Sequence, residues 1–169
     1  MAETADILSE PGQKVILPNL TAGCSMADMA HGDDVLDCWE DLAEILGEGA
    51  VVPMTYMNST AAIKSLCGEN GGIVCTSSNA SAAFDWAFEK GEKILFLPDQ
   101  HLGRNTAVTK GVALEEMIVW NPFKPLGGNT VEEIKMAKLI LWQGHCSVHT
   151  RFTTGQIDSA RKTDSTVSI

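Results

Sequence analysis

Ala50-Val51-Val52-Pro53-Met54-Thr55-Tyr56 runs into Met57-Asn58-Ser59-Thr60 and then into Ala61-Ala62-Ile63-Lys64-Ser65-Leu66-Cys67. The first segment is apolar without alternation, the pattern of a strand covered on both faces. The second offers three helix-capping side chains, Asn58, Ser59 and Thr60. The third sets Ala62, Ile63, Leu66 and Cys67 on one helical face. The same unit recurs downstream. Gly72 to Thr76 is strand-like, and Ser77 and Ser78 then cap a helix with Ala80, Ala83, Phe84, Ala87 and Phe88 inward. Lys93 to Leu97 is a further strand, closed by Pro98. Upstream, Lys14 to Pro18 reads as a first strand. Asp33 and Asp34 open a helix with Val35, Leu36, Trp39, Leu42, Ala43 and Leu46 on one face, ending at Gly47. Alternation of this kind predicts an α/β fold with a mostly parallel sheet and helices on both faces.

The second half is less regular. Met117 to Trp120 is strand-like, Asn121 to Asn129 reads as a loop with two prolines and two glycines, and Thr130 to Lys138 is a helix. Leu139 to Trp142 leads into Gly144-His145-Cys146. Thr153 to Lys162 is a helix, and Thr166 to Ile169 resembles the opening of a strand.

The 169 residues suffice for one domain with a real core. A net charge of -10 argues against non-specific nucleic-acid binding, which needs a basic footprint. No apolar stretch is long enough to span a bilayer, and no basic region followed by an apolar one marks a secretory signal at the start. Five cysteines without disulfide-like spacing suggest a reduced, cytoplasmic chain.

In parallel α/β folds ligands bind where strands end and helices begin. The polar clusters Asn58-Ser59-Thr60, Thr76-Ser77-Ser78-Asn79 and Asp99-Gln100-His101 fall at those junctions. Helix N-termini there favour carboxylates or phosphates, so the residues alone point to a domain that binds a small anion. Cys38, Cys67 and Cys75 fall on apolar faces and read as core. Cys24 and Cys146 differ, because each follows a strand-like run in a loop rich in Gly and Ser, where backbone approaches a ligand closely. They could share a metal site or, like the other three, lie in the core. Cys146 and His149 have a C-x-x-H spacing, but no second pair accompanies them to make a structural zinc site. Tyr56 and Asn58 share a side if the strand continues through both. Asp99, His101 and Arg104 read as a structural network at a strand end.

Five segments in register carry a resemblance: Leu17-Pro18-Asn19-Leu20-Thr21-Ala22-Gly23-Cys24-Ser25-Met26-Ala27-Asp28, Tyr56 to Thr60, Val74 to Ala80, Leu97 to Asn105, and Gly144 to His149. Together they resemble the quinolinate synthases of NAD biosynthesis. Trp120 to Asn129 resembles an insertion found in the longer members. The resemblance implies three pseudo-symmetric domains, each a three-layer αβα sandwich. Residues 1–13 would end the first domain or form a linker helix, 14–150 would be the middle domain with an insertion near 111–137, and 151–169 would begin the third. It implies a [4Fe-4S] cluster held by one cysteine per domain, with Cys24 and Cys146 matching two ligands and the third outside this chain. One iron left open would act as a Lewis acid while iminoaspartate and dihydroxyacetone phosphate condense to quinolinate. By matching position Tyr56 and Asn58 would contact the intermediate, Ser77 would bind a carboxylate, and His149 is a further catalytic candidate beside Tyr56. An aspartate oxidase or dehydrogenase would supply iminoaspartate. The isolated chain is expected to be inactive. The competing expectation is a non-catalytic α/β module that binds a small anion and keeps all its cysteines in the core.

Overall fold

The computed structural model describes residues 1–19 and 21–168. Five strands form one wholly parallel sheet: β1 (Val51–Tyr56), β2 (Ile73–Cys75), β3 (Lys93–Leu97), β4 (Met117–Trp120) and β5 (Leu139–Trp142). Their spatial order is β2-β1-β3-β5-β4, so β3 is central and the path reverses beside β1. Among the described residues there are seven α-helices, α1 (Ala2–Ile7), α2 (Gly32–Leu46), α3 (Ala61–Glu69), α4 (Ala80–Lys90), α5 (Gln100–Thr109), α6 (Val131–Met136) and α7 (Thr154–Thr163), of which α2 to α6 cover the sheet.

Alternate residues of each strand face opposite layers, as the pleat requires. On one side Val51, Leu95, Leu97, Ile140 and Trp142 pack with Val35, Cys38 and Leu42 of α2, Ile63 and Cys67 of α3, and Ile134 of α6. On the other, Val52, Met54, Ile94, Phe96, Leu139 and Leu141 meet Ala80, Ala83, Phe84 and Ala87 of α4 and Ala107 of α5. Two dry layers on one sheet make the expected three-layer αβα sandwich, and they explain why the strands show no polar alternation.

Four local expectations change. Lys14 to Pro18 forms no strand: each of its residues is exposed, and it joins no sheet among the described residues. A β-branched run is a strand only beside a neighbour that packs its side chains and pairs its backbone. Leu36 points outward at 46% exposure, and Cys38 takes the buried position after Val35, giving the stripe Val35, Cys38, Leu42. Ala62 is likewise exposed on α3. Thr166 to Ser168 is turn and coil, because the Asp164 carboxylate accepts from the Thr166 amide at 2.9 Å and its hydroxyl at 2.7 Å. Ile169 lies outside the described residues.

Candidate functional site

The C-terminal ends of β1, β2, β3 and β5 gather the polar residues singled out above. At the end of β1 the chain turns sharply. The Met57 amide donates to the Cys75 carbonyl at 2.8 Å, and the Ser59 hydroxyl donates back to the Tyr56 carbonyl at 2.9 Å. Of the three capping candidates Thr60 is the one used: its Oγ1 accepts from the Ile63 amide. The strand stops at Tyr56, so Asn58 lies in the bend beyond it and the two-residue repeat does not extend to it. Tyr56 is half-buried. Asn58 Oδ1 is buried and has no hydrogen-bond partner among the described residues, a costly state for a carbonyl oxygen unless a ligand or water meets it.

Helix α1 reaches the same turn from the other side. Thr4 Oγ1 donates to the Met57 carbonyl at 3.1 Å, and the Ala61 amide donates to Glu3 Oε2 at 2.8 Å. Burial lowers the pKa of the Lys64 ammonium, while the nearby Glu3 carboxylate acts in the opposite direction. The Lys64 ammonium donates to the Ser59 carbonyl.

The loops of Cys24 and Cys146 come together over β3 and β5. Ser25 Oγ and Ser147 Oγ share a hydrogen bond at 3.1 Å across 122 residues of sequence. Met29 fastens the two loops further. Its carbonyl accepts from the Trp142 indole Nε1–H at 2.8 Å, and its Sδ accepts from the His145 amide at 3.4 Å. Gly144 is required here for a backbone neighbour rather than a ligand: a Cβ on it would lie 2.0 Å from the Pro98 carbonyl oxygen. That closeness extends the ladder past the strands, with Gly144 paired to Asp99 and the Gln100 amide donating to the Gly144 carbonyl at 3.0 Å.

Cys24 and Cys146 are half-buried, whereas Cys38, Cys67 and Cys75 are buried. Burial raises the Cys38 thiol well above its ordinary value, with Asp41 adding to it, and pushes Cys67 and Cys75 up to about 12. Those three are packing groups. The expectation that all five lie in the core fails for Cys24 and Cys146, because their loops meet at the surface instead of entering either layer. No group of three His, Cys, Asp or Glu side chains able to hold a metal occurs among the described residues. A [4Fe-4S] cluster is held by thiolates, so two soft thiols on fastened loops fit two of its corners and not a whole site.

Ser77 is exposed and makes no hydrogen bond among the described residues. The cap of α4 is Asn79 by position, and neither Ser77 nor Ser78 fills that role. The Asn79 side chain turns back to accept from the Thr76 amide at 2.6 Å, and Ser78 pairs with the Thr76 hydroxyl at 3.0 Å. The α4 N-terminus therefore carries no side-chain cap, and Ser77 is free to meet an anion beside it. His149 is exposed and begins a short 3-10 helix, His149–Arg151. Asp99 caps α5 by accepting from the His101 amide at 2.8 Å, and Arg104 reaches Gln100 at 3.2 Å, which is the structural network expected there. Sequence reading missed Ser25, Ser147, Met29, Glu3 and Thr4. A usable signal existed for the first two, since the dipeptide Cys-Ser occurs at both 24–25 and 146–147.

A family model described as "Quinolinate synthetase A protein" matches residues 1–169. Quinolinate synthase of Corynebacterium glutamicum is 63% identical over 161 residues, which cover 95% of this chain and 41% of that protein. The quinolinate synthases of Acidobacterium capsulatum and Streptomyces coelicolor are 60% and 56% identical, covering 95% and 96% of this chain and 43% and 41% of their own lengths. The chain thus spans less than half the length of these relatives.

Proposed function

Because this chain belongs to the quinolinate synthetase A family, we propose that it supplies the middle αβα domain of a cytoplasmic quinolinate synthase in NAD biosynthesis. In this reading residues 1–13 precede the domain, 14–150 form it with an insertion near 111–137, and 151–169 lead into the next. The enzyme condenses iminoaspartate, delivered by an aspartate oxidase or dehydrogenase, with dihydroxyacetone phosphate. The observation that carries the reading is the Ser25–Ser147 hydrogen bond, which joins the only two half-buried cysteines among the described residues into one surface.

Cys24 and Cys146 would hold two irons of a [4Fe-4S] cluster, with further ligation from outside this chain. When bound, the cluster supplies an open iron that acts as a Lewis acid in dehydration. The chain's own groups bind and orient. The Tyr56 hydroxyl donates to a substrate oxygen, and the unpartnered Asn58 Oδ1 accepts from a substrate N–H or O–H. Ser77 Oγ and the uncapped α4 N-terminus take a substrate carboxylate. His149, three residues after Cys146 and exposed, would move a proton there.

The test is anaerobic iron–sulfur reconstitution of the full-length enzyme that carries this segment, with iron and sulfide analysis and a quinolinate assay. About four irons per protein are expected, lost with Cys24→Ala or Cys146→Ala. The 169-residue chain alone is expected to make no quinolinate. A cluster indifferent to both substitutions overturns the ligand assignment and returns the domain to anion binding alone.

A further inference from the structure

Glu3 and Thr4 lie 58 and 53 residues before their partners in the sequence, yet both end at the turn that carries Asn58. The Thr4 hydroxyl holds the carbonyl one residue before Asn58, and the Glu3 carboxylate holds the amide three residues after it, at 3.1 Å and 2.8 Å. Ala61 is the first residue of α3, so its amide is one of those a helix leaves without an internal partner. A carboxylate is the favoured group there. Thr60 takes the Ile63 amide in the same turn. Side chains of the chain itself therefore occupy the α3 N-terminus, and a substrate anion is directed to the α4 end at Ser77.

Asn58 shows why the turn needs holding. A buried amide oxygen with no partner gains by swinging toward water, and no hydrogen bond to its own side-chain oxygen restrains it. The backbone on either side therefore sets the position from which it points. Resting on the quinolinate synthase reading, we propose that Glu3 and Thr4 are positioning residues that brace the Met57–Ala61 turn and so aim Asn58 at the substrate. They touch neither substrate nor cluster ligands.

Thr4→Val, Glu3→Ala and Glu3→Gln in the full-length enzyme test this, with three readouts: amide hydrogen exchange at residues 57–61, iron content, and kcat and KM for quinolinate formation. Losing one such bond lowers kcat/KM roughly threefold to tenfold, the factor set by a net hydrogen-bond energy near 1 kcal/mol. Thr4→Val and Glu3→Ala should each do so and speed exchange in the turn, with iron content unchanged. Glu3→Gln keeps a carbonyl acceptor and should recover most of the loss. Faster exchange with unchanged kcat/KM would make the brace merely structural and overturn the proposal, as would iron lost in step with activity. An active wild type whose variants match it overturns the positioning role alone. A reconstituted wild type that forms no quinolinate overturns the functional reading, without recourse to any variant, and takes the positioning role with it.

Discussion

The two ends of the sheet use their polar groups in opposite ways. At the N-terminal ends of the strands a wide cleft is lined by Asp85, Glu89, Glu92, Lys93, Lys110 and Lys138, and most of its cations are already engaged. Lys110 pairs with Asp85 at 2.6 Å, Lys138 with Glu116 at 2.7 Å, and Lys93 donates to the carbonyls of Lys135 at 2.7 Å and Ala137 at 2.5 Å. At the C-terminal ends many polar groups are engaged as well, but Asn58 Oδ1 and Ser77 have no partner among the described residues and two thiols are half-buried. A cleft's size therefore says less about binding than whether its polar groups are already satisfied. The cleft at the N-terminal ends is a place where the fold closes on itself; the C-terminal cluster is where it leaves valence for something else.

Gly144→Ala should break the contrast most severely. Its Cβ would meet the Pro98 carbonyl at 2.0 Å, so the ladder between the ends of β3 and β5 must open. Overpacking against backbone costs about 3 kcal/mol, read as a lower urea midpoint, and should free the Cys146 loop. An unchanged midpoint would show that this end is not held by the Gly144 approach.

Thiol chemistry sharpens the comparison at intermediate size. Alkylation of the native chain near pH 8 should label Cys24 and Cys146 and spare Cys38, Cys67 and Cys75, read by peptide mass spectrometry. Stability should also fall in alkaline solution, for a reason with a definite sign. Below about pH 8.5 folded and unfolded thiols are both protonated. Between there and about 12 the unfolded chain releases protons that the buried Cys67 and Cys75 retain, so unfolding gains as pH rises. Native labelling of Cys67 as fast as Cys24 would sink the two-class division. The smallest effect belongs to the other end: Lys110→Met removes an ion pair at a partly exposed site and should cost less than about 1 kcal/mol. A loss as large as that of Gly144→Ala would refute the view that this cleft holds only surface pairs.

Much of the architecture was legible because both faces of the sheet are covered. Val51 to Tyr56 and Lys93 to Leu97 read as strands from uninterrupted apolar character, and α4 from the spacing of Ala80, Ala83, Phe84 and Ala87. Lys14 to Pro18 has the same local character without the same fate, since a strand is made by its neighbours and composition cannot report them. Of the site, the thiols that face outward were separable from the core thiols by their Gly and Ser surroundings. What was not legible is the fastening. Met29 accepting from Trp142, Ser25 meeting Ser147, and Glu3 reaching Ala61 are contacts between segments 58 to 122 residues apart. No local pattern encodes such pairs, and a fold must exist before they do.

Strand order also has a consequence for synthesis, where the chain emerges N-terminus first. β1 and β2 are neighbours joined through α3, so both partners are available once β2 has been made. β3 then lies against the other side of β1. β4 is different: among the described residues its sole pairing is with β5, the strand made after it. Until Leu139 to Trp142 emerges and inserts between β3 and β4, the nascent chain presents the open edge of β3 and an orphan strand, Met117 to Trp120. Leu139 to Trp142 leads directly into Gly144 and Cys146, so the strand that closes the sheet also carries the second thiol to its seat.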